Sequence, residues 1–236
     1  RMAKAYCQQY LQVLPAAAVD VMGLARKMVQ TGSGELARGM QSGQWPAEVG
    51  RQLAEVQKQF ALLNQMTSAP ATTTALVVAA SEQADRTLLI AQAVTEAIEK
   101  MAQAPSARLV NLAGRQRMLS QRLAKNYGLV AAGLDSRPLR EQIAGDAEEF
   151  QRAMAQLAGA PLSTPAIRTT LELGQGQWVF FDMAIKRQPN ARGLEDVLYQ
   201  IKAIPGVART TSTVVLNTEF EDRPLDLGWV NGDKGG

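Results

Sequence analysis

The sequence predicts an all-α protein, an antiparallel bundle of long helices. Apolar residues recur every three or four positions through most of the chain, as they do from Val77 to Met101, and this period marks one face of an α-helix. Runs that alternate between apolar and polar residues, which are typical of strands, are missing. Several periodic segments are long and their connections are short, which favours antiparallel neighbours.

Each predicted element is bounded by residues that end helices. Gly, Pro, Ser or Asn concentrate at Leu14-Pro15, Thr31 to Gly34, Gly43 to Pro46, Ser68 to Pro70, Ala104 to Ser106, Gly133 to Pro138, Ala158 to Pro165 and Pro189-Asn190. The helices between these breaks are expected near 1–13, 16–30, 47–67, 72–103, 107–132, 138–158, 165–187 and 193–219. Pro205-Gly206 predicts a bend in the last one.

Composition excludes several classes of function. The chain has 25 Lys+Arg against 22 Asp+Glu, and a net charge of +3 is too weak to indicate nucleic acid as a partner. It has no histidine and one cysteine, Cys7, so neither a Ser-His-Asp triad nor a zinc site of His or Cys ligands can form. We therefore expect no enzyme, no metal and no cofactor. Cys7 is expected to be a small buried hydrophobe.

A self-comparison finds a repeat. Arg1 to Tyr6 matches Arg122 to Tyr127 at an offset of 121 residues, and the segment from Phe60 matches the segment from Phe150 at an offset of 90. Because the two offsets differ by about one helix and its turns, the first copy should carry an additional helix near residues 15 to 45.

The positive charge is concentrated in one segment. Between Glu99 and Asp135 the chain has no acidic residue and six basic ones. On a helix, the leucines of this segment, with Tyr127 and Val130, form an apolar stripe that must face the core. Arg117 lies roughly 140° from the centre of that stripe. Its neighbours there are small or uncharged, which would let another helix approach closely: Ala113, Gly114, Ser120, Gln121 and Ala124.

Two interpretations of these arginines remain open. In the first, they form a solvated face with their aliphatic stems on the surface, the usual fate of a run of charges. In the second, an arginine on the small-residue face is drawn out of water and needs a carboxylate, a carbonyl or a bound anion. Gly114 supports the second, because a glycine inside a helix costs about 1 kcal/mol relative to alanine.

The motif from Asn111 to Lys125, Asn-Leu-Ala-Gly-Arg-Gln-Arg-Met-Leu-Ser-Gln-Arg-Leu-Ala-Lys, resembles the signature of the PilJ-type domain. This domain is the N-terminal sensory domain of type IV pili methyl-accepting chemotaxis transducers. The motif is also similar to the periplasmic motif of nitrate/nitrite sensor kinases. The resemblance implies an extracytoplasmic helical bundle that binds a small anion, nitrate or nitrite, at a helix–helix or dimer interface.

The resemblance assigns roles to individual residues. It places Arg117 at the anion, and it makes Gly114 the glycine that brings backbone close to the ligand. Because only Arg117 projects from the small-residue face, we expect it to be the principal ligand. Arg115 and Arg122 are expected to be supporting charges, and Asn111, Gly114 and Gln121 to line the approach.

The repeat and the motif together predict the organisation of the chain. Residues 1–104 are expected to form a first repeat that lacks the Asn-to-Gln half of the motif, residues 105–222 a second repeat with the full motif, and 223–236 an irregular tail. Each repeat is expected to resemble a four-helix bundle. Helix 1–13 should pack on the N-terminal part of helix 107–132, which predicts a monomer with internal pseudo-two-fold symmetry rather than a homodimer.

The function predicted in this way is that of a periplasmic sensory module, with its signal peptide removed. The module is expected to bind an oxyanion and to pass the signal to a membrane-bound receptor or kinase, in chemotaxis or two-component signalling. The alternative is a periplasmic interaction or scaffold protein in which the motif only packs helices.

Two further signals carry less weight. Gly32-Ser33-Gly34-Glu35-Leu36-Ala37 fits a dinucleotide-binding pattern but follows a helix rather than a strand, so we interpret it as a turn. The cluster Trp178, Phe180, Phe181 and Met183 could wall a pocket, but it is better explained as bundle core.

Overall fold

A computed structural model describes residues 1–41, 46–186 and 190–203. Within these residues all regular structure is α-helical, which confirms the predicted all-α class. The helices are α1 (Met2–Tyr10), α2 (Pro15–Gln41), α3 (Ala47–Met66), α4 (Thr74–Ala102), α5 (Pro105–Ala131), α6 (Arg137–Gly159), α7 (Pro165–Lys186) and α8 (Ala191–Ala203). In the part of the chain that is described, no helix combines the length and the apolar character needed to cross a membrane.

Several helix starts follow directly from the sequence. Pro15, Pro105 and Pro165 each begin a helix, where the fixed φ of proline suits the first turn and its missing N–H costs nothing. Thr73 caps α4, because its hydroxyl accepts a hydrogen bond from the backbone N–H of Leu76 at 3.3 Å. Ser136 caps α6 in the same way.

The helices form two rings of four. In the first ring, α1 contacts α2, α2 contacts α3, α3 contacts α4, and α4 closes on α1. In the second ring, α5 to α8 make the same succession of contacts and α8 closes on α5. Helix α5 belongs to the second bundle. Because it also contacts α1 and α4, it forms the contact surface with the first bundle.

The two bundles have different cores. The second bundle has an aromatic core, in which Phe150 stacks on Trp178 with ring centroids 4.2 Å apart and Trp178 meets Phe181 at 5.1 Å. The first bundle packs mainly small and flexible side chains around one buried ring, that of Tyr6; among them are Met2, Ala18, Met22, Ala25 and Ala80. Methionine fills irregular gaps between closely spaced helices.

The long hairpin predicted for helices 72–103 and 107–132 is confirmed. Only Gln103 and Ala104 separate α4 from α5, and Gln103 takes the left-handed conformation at the turn, with φ 47°. Both helices exceed 25 residues and contact each other along the hairpin.

The predicted end of the second helix at residue 30 is wrong. The segment from Thr31 to Gly34 does not form a turn, because α2 continues through it to Gln41. A methionine near the end of α2, Met40, packs against Gly50 of α3, so tertiary contact holds the last turns in place. Packing of this kind overrides the weak helix propensity of two glycines.

The predicted contact between the first helix and α5 is confirmed, but its position is wrong. Cys7 Sγ lies against Gly128, and Arg1 lines the same cleft as Arg117, so α1 runs parallel to the C-terminal half of α5 and not along its N-terminal part. The glycine at 128 allows this close approach, because a Cβ there would lie 3.0 Å from the Cys7 sulfur.

The aromatic cluster on α7 is only partly core. Trp178 and Phe181 are buried as expected, but Phe180 and Met183 are 56% and 52% exposed, so the prediction is wrong for these two. They point away because they follow the outer side of the helix, seven and ten residues after the exposed Leu173. The predicted helix beyond Ala203, its bend at Pro205-Gly206 and the tail 223–236 lie outside the described residues.

Candidate functional site

Helix α5 divides its side chains between two environments. Leu119, Leu123 and Tyr127 are fully buried in the core of the second bundle, as the apolar stripe predicts. Arg117 lies on the other side of the helix, where it lines a cleft against the first bundle and is half-buried. The small-residue face is only partly covered: Ser120 and Ala124 are fully buried, whereas Gly114 is exposed. Helix α1 contacts α5 further along, where Cys7 lies against Gly128.

The cleft has a volume of about 450 Å³ and receives side chains from α1, α2, α3, α4 and α5. Its cationic side chains come from two parts of the chain, namely Arg1 and Lys4 at the start of the chain and Arg117, Arg122 and Lys125 from α5. In the described part of the chain the single carboxylate that lines it is Asp85 of α4. The cleft therefore concentrates positive charge between the bundles.

Two guanidinium groups in this cleft lie in an unfavourable environment for cations. Burial lowers the pKa of Arg117. Burial also lowers the pKa of Arg1, and the charge of Arg117 lowers it further. Arg1 Nη1 lies 3.6 Å from the Met28 sulfur, which is a weak acceptor. An anion bound between the two arginines would relieve this repulsion.

The other two predicted arginines are held by carboxylates of α6. Arg122 donates from Nε and Nη2 to the two oxygens of Asp146, at 2.7 and 2.5 Å, a bidentate geometry that fixes the guanidinium. Arg115 forms an ion pair with Glu149. The interpretation of these charges as a solvated face is therefore wrong for Arg115 and Arg122, whose side chains are only 28% and 20% exposed.

A buried lysine completes the polar contacts between the bundles. Lys125 Nζ donates to Ser81 Oγ at 2.8 Å and to Asp85 at 2.6 Å, and its side chain is 5% exposed. Burial lowers the pKa of Lys125, and the charge of Asp85 opposes that shift. Because both acceptors belong to α4, this lysine ties α5 to the first bundle.

A second cleft continues from the first along the α4–α5 hairpin. It has a volume of about 350 Å³ and shares Leu88, Ala91, Gly114 and Met118 with the larger cleft. Gly114 stands at the junction, and a Cβ added there would meet no atom within 4 Å. Asn111 and Arg115 line this second cleft, where Asn111 donates to Glu99.

The predicted site residues therefore fall into two groups. Arg117, Gln121 and Arg122 line the larger cleft, Asn111 and Arg115 line the smaller one, and Gly114 borders both. Arg1, Lys4 and Asp85 were not predicted as site residues. The match between Arg1–Tyr6 and Arg122–Tyr127 contained a signal for two of them, because it aligns Arg1 with Arg122 and Lys4 with Lys125.

Comparison with known proteins identifies one family. Residues 100–186 match the family model PilJ, described as type IV pili methyl-accepting chemotaxis transducer N-term. No curated protein and no solved structure gives a significant match. The matched segment is a little over a third of the chain and contains α5, α6, α7 and the whole motif from Asn111 to Lys125. The predicted similarity to the PilJ family is thus confirmed for residues 100–186.

Proposed function

We propose that this chain is an extracytoplasmic sensory module that binds a small oxyanion, such as nitrate or nitrite. Its signal would pass to a membrane-bound receptor or kinase in chemotaxis or two-component signalling. The match of residues 100–186 to the N-terminal region of a chemotaxis transducer supports the sensory role. The cationic cleft between the bundles supports the anion.

The observation that carries the proposal is the position of Arg117 beside Arg1. Both guanidinium groups line one cleft, and burial lowers the pKa of each. A guanidinium offers a planar pair of N–H donors that matches two oxygens of a trigonal anion, and such a charge-assisted bond is roughly twice as strong as a neutral one. Arg117 is thus the proposed principal ligand.

The supporting residues act in different ways. Arg122 and Arg115 are engaged with Asp146 and Glu149, so the carboxylates offset part of the attraction that these two arginines exert on an anion. Gln121 lines the cleft beside Arg117 and can donate an amide hydrogen bond. Gly114 leaves the approach open.

The proposal is tested by calorimetric titration of nitrate and nitrite at constant ionic strength. Arg117→Lys keeps the charge but loses the planar fork, so we expect it to weaken binding about tenfold, which corresponds to the loss of one charge-assisted hydrogen bond. Arg115→Lys is the matched control on the same helix, and it should bind nearly as well as the unaltered chain. Tighter binding by Arg117→Lys than by Arg115→Lys would contradict the assignment.

We also propose that residues 1–104 and 105–222 are two PilJ-like repeats, with α2 as the additional helix of the first. The closure of α1 to α4 and of α5 to α8 into separate rings supports the boundary near residue 104. The contact between Cys7 and Gly128 supports it too, because these residues are 121 positions apart, which is the offset of the first sequence match. The second match is weaker evidence, since Phe60 and Phe150 lie on α3 and α6, which hold different places in their rings.

The scaffold alternative rests on α7. Its outer side exposes Leu173, Val179, Phe180 and Met183, and a contiguous apolar patch of this kind is typical of an interaction surface. The same titration separates the two functions, because a scaffold gives no heat with nitrate or nitrite in any variant.

A further inference from the structure

The walls of the larger cleft differ from its cationic end. Opposite Arg117, helices α2, α3 and α4 contribute apolar side chains that are only half-buried: Met28, Val29, Val56, Phe60 and Leu88. Apolar surface left in contact with water is unfavourable in proportion to its area. A ligand that covers this surface therefore gains affinity which the arginines alone do not supply.

The volume of the cleft also indicates a ligand larger than an inorganic oxyanion. A volume of about 450 Å³ lies in the range of roughly 300 to 1,000 Å³ that is usual for sites of organic ligands. A water molecule accounts for about 30 Å³ of liquid, and an anion of three or four heavy atoms is only a few times larger. A bare inorganic oxyanion at Arg117 would leave most of the cleft to water and the apolar walls uncovered.

The carboxylates around the cleft limit the negative charge that a ligand can carry. Two of the cations that line it are engaged with carboxylates, Arg122 with Asp146 and Lys125 with Asp85. Asp85 itself lines the cleft and repels negative charge on a ligand. A monoanion meets less of this repulsion than a dianion such as sulfate.

We propose that the ligand of this cleft is an organic monocarboxylate with a short aliphatic body. Its carboxylate lies between Arg117 and Arg1, and its chain lies against Val56, Phe60 and Leu88. This inference rests on the proposed anion site and names the class of anion that fits it. A carboxylate is planar with two equivalent oxygens, so the guanidinium fork that suits nitrate suits it equally well.

The inference is tested with acetate, butyrate and hexanoate as probes, each titrated into the full chain at constant ionic strength. Burial of each added methylene against the apolar walls should tighten binding about two- to fourfold. Hexanoate should therefore bind at least about tenfold more tightly than acetate or nitrate. Hexanol carries the same chain without the charge, and it should bind far more weakly than hexanoate.

Two glycine variants show where the probes bind. Gly114→Leu places a side chain into the junction of the clefts, and Gly145→Leu places one on α6, away from both. Both glycines are exposed positions inside helices with no atom within 4 Å of an added Cβ, so both variants should fold. Hexanoate binding should fall at least about tenfold in Gly114→Leu and stay unchanged in Gly145→Leu.

The outcomes separate this inference from the function on which it rests. If nitrate and nitrite bind through Arg117 but affinity does not rise with chain length, the oxyanion site stands and the carboxylate class is wrong. If no anion binds, both are wrong. Hexanol binding as tightly as hexanoate, or equal effects of the two glycine variants, would overturn the carboxylate assignment.

Discussion

At the scale of single residues, the direction of a side chain was predictable where helical phase alone determines it. Leu119, Leu123 and Tyr127 fix which side of α5 faces the core, and the opposite position of Arg117 follows from 100° per residue. The partners of Arg115 and Arg122 were not predictable. Their carboxylates lie 34 and 24 residues away on α6, and only the packed bundle brings them together.

The single thiol gives a prediction at this scale. Cys7 is 1% exposed, and burial raises the pKa of its thiol to about 12, whereas an unfolded cysteine has a pKa of about 8.5. Only the thiolate reacts with alkylating reagents. At pH 8.5 we therefore expect the folded chain to react with iodoacetamide at least a hundredfold more slowly than the chain in urea, followed by mass spectrometry. Equal rates would show that α1 does not pack on α5 as described.

At the scale of elements, the sequence predicted helix existence better than helix length. Prolines indicated the starts of α2, α5 and α7 to within two residues, because their effect is local. The glycines at 32 and 34 were misleading, because their low helix propensity is a small term beside the contact of Met40 with α3. The exposed half of the α7 cluster was missed because a short apolar run does not reveal which side faces outward.

The length of α2 can be tested through those two glycines. Neither would bring an added Cβ within 4 Å of another atom, and neither has a positive φ. Replacing a helical glycine by alanine stabilises the folded chain by about 0.4 to 1 kcal/mol where alanine can adopt the same backbone conformation. Gly32→Ala combined with Gly34→Ala should thus raise the free energy of unfolding by about 1 to 2 kcal/mol, measured by urea denaturation.

A third glycine is the control. Gly133 has φ +84°, a left-handed conformation that alanine adopts only with strain, so Gly133→Ala should destabilise by about 1 kcal/mol. If Gly32 and Gly34 instead formed a turn, their replacement would destabilise the chain in the same direction as Gly133→Ala.

At the scale of the whole molecule, the two rings of helices meet at a cleft that both of them line. Arg1 and Lys4 line it from the start of the chain, and Arg117 and Lys125 line it from α5. The sequence match between Arg1–Tyr6 and Arg122–Tyr127 did not reveal that α1 lies along the C-terminal half of α5. That position depends on the close contact of Cys7 with Gly128, which is a property of the packed pair.

The arrangement of α1 on α5 predicts the oligomeric state. The C-terminal half of α5 packs on α1 within the chain, where Cys7 lies against Gly128, so this part of α5 is not available to a second copy. We expect light scattering to give the mass of one chain from low to high micromolar concentration. The exposed side of α7 carries an apolar patch that could join two copies, and Phe180→Ser removes its largest side chain. A dimer that persists at low micromolar concentration would contradict the expected monomer, and its loss in Phe180→Ser would place the contact between the copies on α7.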